Sequence, residues 1–198
     1  MFLTRLQVDF SPLPAPRSQA AALAEASVGN WLAVHGETVA EPAWRPDVAA
    51  RRMLNWAAHA PQILSSTDLV YRSAVLNHFA RTGRHLVGTA DRMPAGAARI
   101  IAWCGVVATG LLIPGNDARR LFGEAELAKA LNGGLTSDGG ALCRAPDAQV
   151  ELIETLIMLR SAYAVRKLAC PDVIGDAITR AAPVLAGITH GDGALSSW

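Results

Sequence analysis

Trp44-Arg45-Pro46-Asp47-Val48-Ala49-Ala50-Arg51-Arg52-Met53-Leu54-Asn55-Trp56 reads as the opening turns of an amphipathic helix. Pro46 suits the first helical position, where its missing N–H would be unpaired in any case. Asp47 places negative charge at the positive end of the helix dipole. Residues three and four apart share a face. Arg51, Asn55 and His59 therefore form one polar row, with Met53, Trp56, Ala57 and Ala60 as an apolar row beside it. Arg52 stands four before Trp56 and is expected to rest its stem on that indole. A helix that buries one row and presents arginine, asparagine and histidine on the next suits the wall of a cleft for an anionic, hydroxyl-rich ligand. A plain solvated face is the alternative.

Outward from this helix the chain repeats the helical period. Its 198 residues are enough for one domain with a sizeable core. The hydrophobic fraction is 51%, much of it alanine, and strand-like alternation is nearly absent, so the fold class expected is all-α. Ser18 to His35 forms a first helix with Ala22, Leu23, Ala26, Trp31 and Val34 inward and Gly36 as its stop. The Trp44 helix runs to about Pro61. Ser66-Thr67-Asp68 caps a helix to about Val87, with Tyr71, Val75, Leu76, Phe79 and Leu86 inward. Ala95 to Leu112 is apolar almost all round and is expected to be buried on most sides. Asn116-Asp117 caps a helix to about Leu131, ended by Asn132-Gly133-Gly134. Asp147 to about Leu168 turns Val150, Ile153, Leu156, Ile157, Leu159 and Tyr163 inward, and Pro171-Asp172 opens the last helix, to about Ile188. The tally is about seven helices on short loops, with no repeat visible in the sequence.

A net charge of +1 supplies no global field toward nucleic acid or membrane, so any anion binding must be local. Cys104, Cys143 and Cys170 lack C-x-x-C spacing, and their odd count argues against a disulfide framework. No cofactor is implied. The longest apolar run, Ile100 to Ile113, is shorter than the ~20 residues of a membrane span. Met1 to Leu6 lacks the pattern of a secretory signal, and cytoplasm and periplasm both stay open.

The helix quoted above resembles, as W-R-P-D-x-x-x-R-R-x-x-N-W, a signature of the helical domain of heparinase II/III-type polysaccharide lyases. Ser137-Asp138-Gly139-Gly140-Ala141-Leu142-Cys143-Arg144-Ala145-Pro146 resembles that family's D-G-G-H-x-x-R-N-P loop. His190-Gly191-Asp192-Gly193-Ala194-Leu195 resembles its H-G-D-G-A-L segment. Order and spacing agree from about Trp31 onward. The resemblance implies an incomplete α/α toroid of antiparallel helical hairpins over 18–188, after an N-terminal arm at 1–17. Residues 189–198 would begin a linker to a β-sandwich domain, to which any structural metal would belong. The partner implied is an acidic polysaccharide of heparin, heparan sulfate or alginate type. The face on which a β-sandwich would dock is expected to be apolar and open to self-association.

Lyases of this kind cleave uronic-acid polymers by β-elimination. The carboxylate beside C5 must be neutralised, a base must take the C5 proton, and an acid must protonate the leaving oxygen. By resemblance, Arg51, Arg52 and Asn55 would grip carboxylates or hydroxyls, and Arg144, Asp138 and Asp192 would join them in substrate binding. His190 is the candidate catalytic residue, and Trp44 and Trp56 could stack on a sugar face, with core packing the expected alternative. Ala141 and Ala145 depart from the loop's histidine and asparagine. The family's Asn-His pair belongs to the helix ending at Thr109-Gly110-Leu111-Leu112-Ile113-Pro114, where Ala97, Ala98 and Arg99 stand instead. Asn77-His78 lies one helix earlier, and His78 is expected on the helix surface. The tyrosines, Tyr71 and Tyr163, lie outside the loop that carries the family's catalytic one. A catalytically degenerate glycan-binding toroid and a helical interaction scaffold therefore stand beside the lyase reading.

Overall fold

The computed structural model describes residues 19–113 and 115–195. The arm expected at 1–17, Ser18 and the last three residues of the expected linker lie outside the described residues. Eight α-helices are found among the described residues, with no strand: α1 (Gln19–His35), α2 (Pro46–Ala58), α3 (Ala60–Ile63), α4 (Leu69–Thr89), α5 (Ala97–Leu112), α6 (Asp117–Gly134), α7 (Pro146–Val165) and α8 (Asp172–Gly187). The chain is all-α, an incomplete toroid built from consecutive helical hairpins.

α5 is the hub. Every residue from Ile100 to Leu111 is buried, and α2, α4, α6 and α7 all pack against it. A helix without a polar stripe must be covered on all sides, as its composition predicts. Gly105 lets α2 come close, since a Cβ there would meet the Cβ of Ala50 at 2.5 Å. The helix carrying the arginines is thereby held directly on the core.

Several local expectations are corrected. The tally is eight helices rather than about seven, because the expected helix to Pro61 divides at His59: Pro61 has no N–H for the next helical bond, and the chain restarts as α3. On α1 the packed row is Ala21, Ala24, Val28, Trp31 and Leu32, while Ala22, Leu23, Ala26 and Val34 are exposed. Alanine around the whole helix left that register weakly marked. Ile157 is likewise exposed, and Tyr71 and Leu76 are only half-buried. Asp68 caps α4, accepting from the N–H of Val70 at 2.8 Å and of Tyr71 at 3.2 Å. Asn116 precedes α6 without a side-chain cap, its amide turned back to Ile113 O at 3.5 Å.

The two D-G stretches are one device used twice. After α6, Thr136 N–H donates to Gly140 O at 2.9 Å, Gly139 N–H to Thr136 O at 2.9 Å, and Gly140 N–H to Asp138 Oδ1 at 3.1 Å. After α8, His190 N–H donates to Ala194 O at 2.8 Å, Gly193 N–H to His190 O at 2.9 Å, and Ala194 N–H to Asp192 Oδ1 at 2.9 Å. Gly139 and Gly193 hold φ of 90° and 84°, a region only glycine enters cheaply. One antiparallel bridge closes each turn, Leu135 with Ala141 and Thr189 with Leu195. Their surroundings differ. A Cβ on Gly139 would run into the carbonyl of Arg180 on α8, whereas one on Gly193 would meet nothing within 4 Å. Buried Gln149 staples the first turn down: its amide donates to Gly139 O at 3.2 Å and Ala181 O at 3.1 Å, and its oxygen accepts from Ala141 N–H at 2.7 Å.

Gly139→Ala is therefore expected to lose roughly 3 kcal/mol of folding stability in urea denaturation, and Gly193→Ala roughly 1 kcal/mol, the backbone term alone. Equal losses would mean that seating the first turn on α8 contributes nothing.

Candidate functional site: a cleft between α2 and α7

α2 opens as its sequence predicts, with Pro46 in the first turn and Asp47 beside the helix N-terminus. Asp47 is buried and held by Arg45, whose Nε and Nη2 donate to its two oxygens at 2.7 and 2.8 Å. Ala49, Ala50, Met53 and Leu54 face the core. The polar row is real: Asn55 Nδ2 donates to Arg51 O at 2.9 Å, and His59 Nδ1 lies 2.9 Å from Asn55 O.

Two hollows adjoin α2 and α7. One, of about 360 Å³, is lined by Arg51, Leu54, Asn55, Glu154, Thr155 and Met158 among others. The other, of about 270 Å³, lies mainly against the turn before α5 and its first residues, Pro94 to Ala98, with Asp47 of α2, Cys143, and Ala148 and Glu151 of α7 at its edge. The Arg51 guanidinium forms an ion pair with the Glu151 carboxylate, and both side chains are about 40% exposed. Arg51 lines the first hollow and Glu151 the second, so the pair has one member in each. Glu151, Glu154 and Thr155 were not singled out from the sequence. The signal was available: 151, 154, 155 and 158 share one face of α7 by helical spacing.

The remaining sequence candidates fall elsewhere. Arg144, at φ 54°, sits in the loop after α6 and points Nη1 at Asp138 Oδ2, 3.4 Å away. Its neighbour Cys143 reaches the smaller hollow, but Arg144 lines neither. The carboxyl of Asp138 is held below its usual range, first by the Thr136 hydroxyl and then by Gly140 N–H. It thus serves its own turn. His190 and Asp192 belong to the exposed turn after α8 and line neither hollow. The convergence of Arg51, Asn55, Arg144 and His190 from distant parts of the chain is not found: Arg51 and Asn55 share a hollow as neighbours on one helix, and Arg144 and His190 line neither.

Trp44 is a core residue, and part-buried Arg52 shelters its guanidinium beside it. Trp44 is 2% exposed and donates its indole N–H to His35 O at 2.8 Å, so its face is closed to sugars. Arg52 does not rest on Trp56. Its guanidinium lies 3.9 Å from the ring centre of Trp31 and 5.7 Å from that of Trp44, and Nη1 donates to Ala43 O at 2.5 Å. Nε and Nη2 are buried without a hydrogen-bond partner. Burial lowers its pKa to about 10, which leaves it charged near neutrality. A guanidinium sandwiched against indoles gains cation–π attraction that a sequence spacing rule does not specify.

His78 corrects the surface expectation most clearly. It is 6% exposed, with ring centres of Trp31, Trp44 and Trp56 at 4.9, 5.3 and 5.2 Å. Nε2 meets the Thr82 hydroxyl at 3.2 Å. Burial, reinforced by the charges of Arg52 and Arg81, lowers its pKa to about 4. It is a neutral core residue at physiological pH. Tyr163 is also buried, its hydroxyl donating to Glu124 at 2.5 Å, and burial raises its pKa above the ordinary tyrosine value.

Two measurements follow from this cage. His78 stays neutral when folded down to about pH 4 but takes a proton near 6.5 when unfolded. Proton uptake by the unfolded chain therefore withdraws stability as pH falls from 6.5 toward 4, by about 3 kcal/mol. Denaturation curves at both ends of that window should show the loss, and His78→Phe should flatten it; a variant with an undiminished acid loss would remove His78 as its origin. Arg52→Ala is expected to cost roughly 2–3 kcal/mol, against less than about 1 kcal/mol for Arg51→Ala. Similar melting temperatures for the two variants would contradict the separation into sheltered and cleft arginines.

No family model matches the chain. Over 173 residues it is 27% identical to FtsZ-localized protein C of Caulobacter vibrioides, an alignment covering 86% of this chain and 29% of that protein. A solved heparinase III structure superposes with a TM-score of 0.57 at 16% identity, covering 88% of this chain and 31% of that one. The chain thus spans under a third of the length of either. At the level of fold it shares a heparinase-like helical toroid with that structure.

Proposed function

We propose that this chain is the sugar-holding helical part of a polysaccharide lyase-like protein acting by β-elimination on uronic-acid polymers, with Arg51 receiving the carboxylate in the α2–α7 cleft. The observation that carries the reading is the position of Arg51 and Asn55: a guanidinium and an amide row bordering an open hollow, on a helix fixed to the core of a heparinase-like fold. An arginine fork matches a carboxylate in two parallel hydrogen bonds. Neutralising that carboxylate is the step that makes the C5 proton removable. Asn55, beside it, offers an amide to neighbouring hydroxyls.

A second reading, a non-catalytic glycan-binding or interaction toroid, has its own support. His78 and Tyr163, side chains of the types such lyases use for proton transfer, are committed to the core. The relative of 27% identity is a protein named for its localisation with FtsZ. On this reading the cleft or another face binds without cleaving.

The experiment is titration of the chain with alginate, hyaluronan and heparan sulfate, with ultraviolet detection of unsaturated uronate product. Binding is expected, weakened roughly tenfold by Arg51→Ala. Product formation supports the lyase reading, and binding without product replaces it with the second. Absence of binding to every uronate polymer rejects both sugar readings, and co-sedimentation with FtsZ filaments then tests the interaction scaffold.

A further inference from the structure

We propose that Glu151 is a specificity-determining residue of the α2–α7 cleft, an internal carboxylate that occupies the Arg51 fork until the carboxylate of a ligand displaces it. The inference rests on the uronate reading above and adds what controls access to Arg51.

Three features carry it. First, Glu151 belongs to α7 and Arg51 to α2, so their ion pair crosses the α2–α7 seam with one member lining each hollow. Displacing it frees Arg51 at the edge of the larger hollow, where Asn55 also stands. Second, the pair is exchangeable. Both side chains are about 40% exposed, and such pairs contribute little net stability because water competes for both charges. Asp47 offers the contrast: it is 7% exposed and held through both oxygens by Arg45, which ties it into the fold. Third, a second carboxylate stands on the same approach. Glu154 lines the larger hollow beside Arg51. An anion entering there passes one carboxylate and must replace another.

The consequence is selection by geometry. A ligand wins Arg51 by presenting a carboxylate that takes two N–H directions of the fork, where Glu151 meets Nη1 through one oxygen. The freed Glu151 then stands as an acceptor toward sugar hydroxyls. Loosely held anions are excluded, although the cleft contains an arginine.

The test is calorimetric titration of the whole chain with alginate oligosaccharide, comparing wild type, Glu151→Gln, Glu154→Gln and the double variant Arg51→Gln/Glu151→Gln, with circular dichroism to verify folding. Glu151→Gln is expected to tighten binding about tenfold, the weight of one charge-assisted contact no longer contested. Glu154→Gln removes the same charge from the same cleft and is expected to change affinity less than threefold. The double variant is expected to lose the gain, because it requires Arg51. Wild-type binding that Glu151→Gln leaves unchanged or weakens overturns the proposal while sparing the uronate reading. An equal gain from Glu154→Gln also overturns it, since general repulsion would then suffice. Lack of binding by wild type and Glu151→Gln alike overturns the uronate reading together with this one.

Discussion

A helix without a polar side cannot sit at a surface, and α5 imposes that constraint on everything around it. Ile100 to Leu111 is buried residue by residue. Burial of this apolar surface is the main favourable term available to an alanine-rich chain with few aromatics. The other helices take their places as covers: α6 through Gly123 against Val106 and Val107, α2 through Ala50 against Gly105, and α4 and α7 on the remaining sides. Because α2 is one of these covers, its outward row has a fixed direction. The cleft inherits its rigidity from the core beneath it.

The second organising contact is the guanidinium of Arg52 among indoles. Trp31 comes from α1, Trp44 from the connector, and Trp56 from α2 itself, with His78 of α4 beneath them. Arg81 extends the same cluster, donating to the carbonyls of Gly36 and Glu37 at 2.6 Å each. This cation and its aromatic partners thereby tie α1 and the connector after it to α2 and α4. The arrangement keeps His78 neutral and leaves two Arg52 nitrogens without hydrogen bonds, a polar cost offset by close ring contacts. Side chains that look chemical in the sequence are here structural.

What remains for function is the seam between α2 and α7. Its charge is nearly balanced, with Arg51 facing Glu151 and Glu154 nearby. A seam of this kind does not attract polyanions by field strength. It recognises by the match of a planar fork to a carboxylate, in keeping with a chain whose net charge is only +1. The twin turns after α6 and α8 show how one backbone device serves two settings, seated against α8 in the first and open in the second.

The sequence by itself determined the all-α class, the buried central helix, the Pro46 start of α2 and the Asp68 cap, because each follows from period, composition or a local backbone requirement. It also marked Arg51 and Asn55 as neighbours on one face. Only the tertiary structure decided which arginine meets solvent. Arg51 and Arg52 are adjacent in sequence, but the roughly 100° that separates successive helical residues sends one to the cleft and the other under Trp31. The same distance between local pattern and three-dimensional neighbourhood hid Glu151, a hundred residues away on α7, and buried His78 on a helix face that looked polar. Periodicity states which residues share a face; what that face meets depends on chain segments that no local window contains.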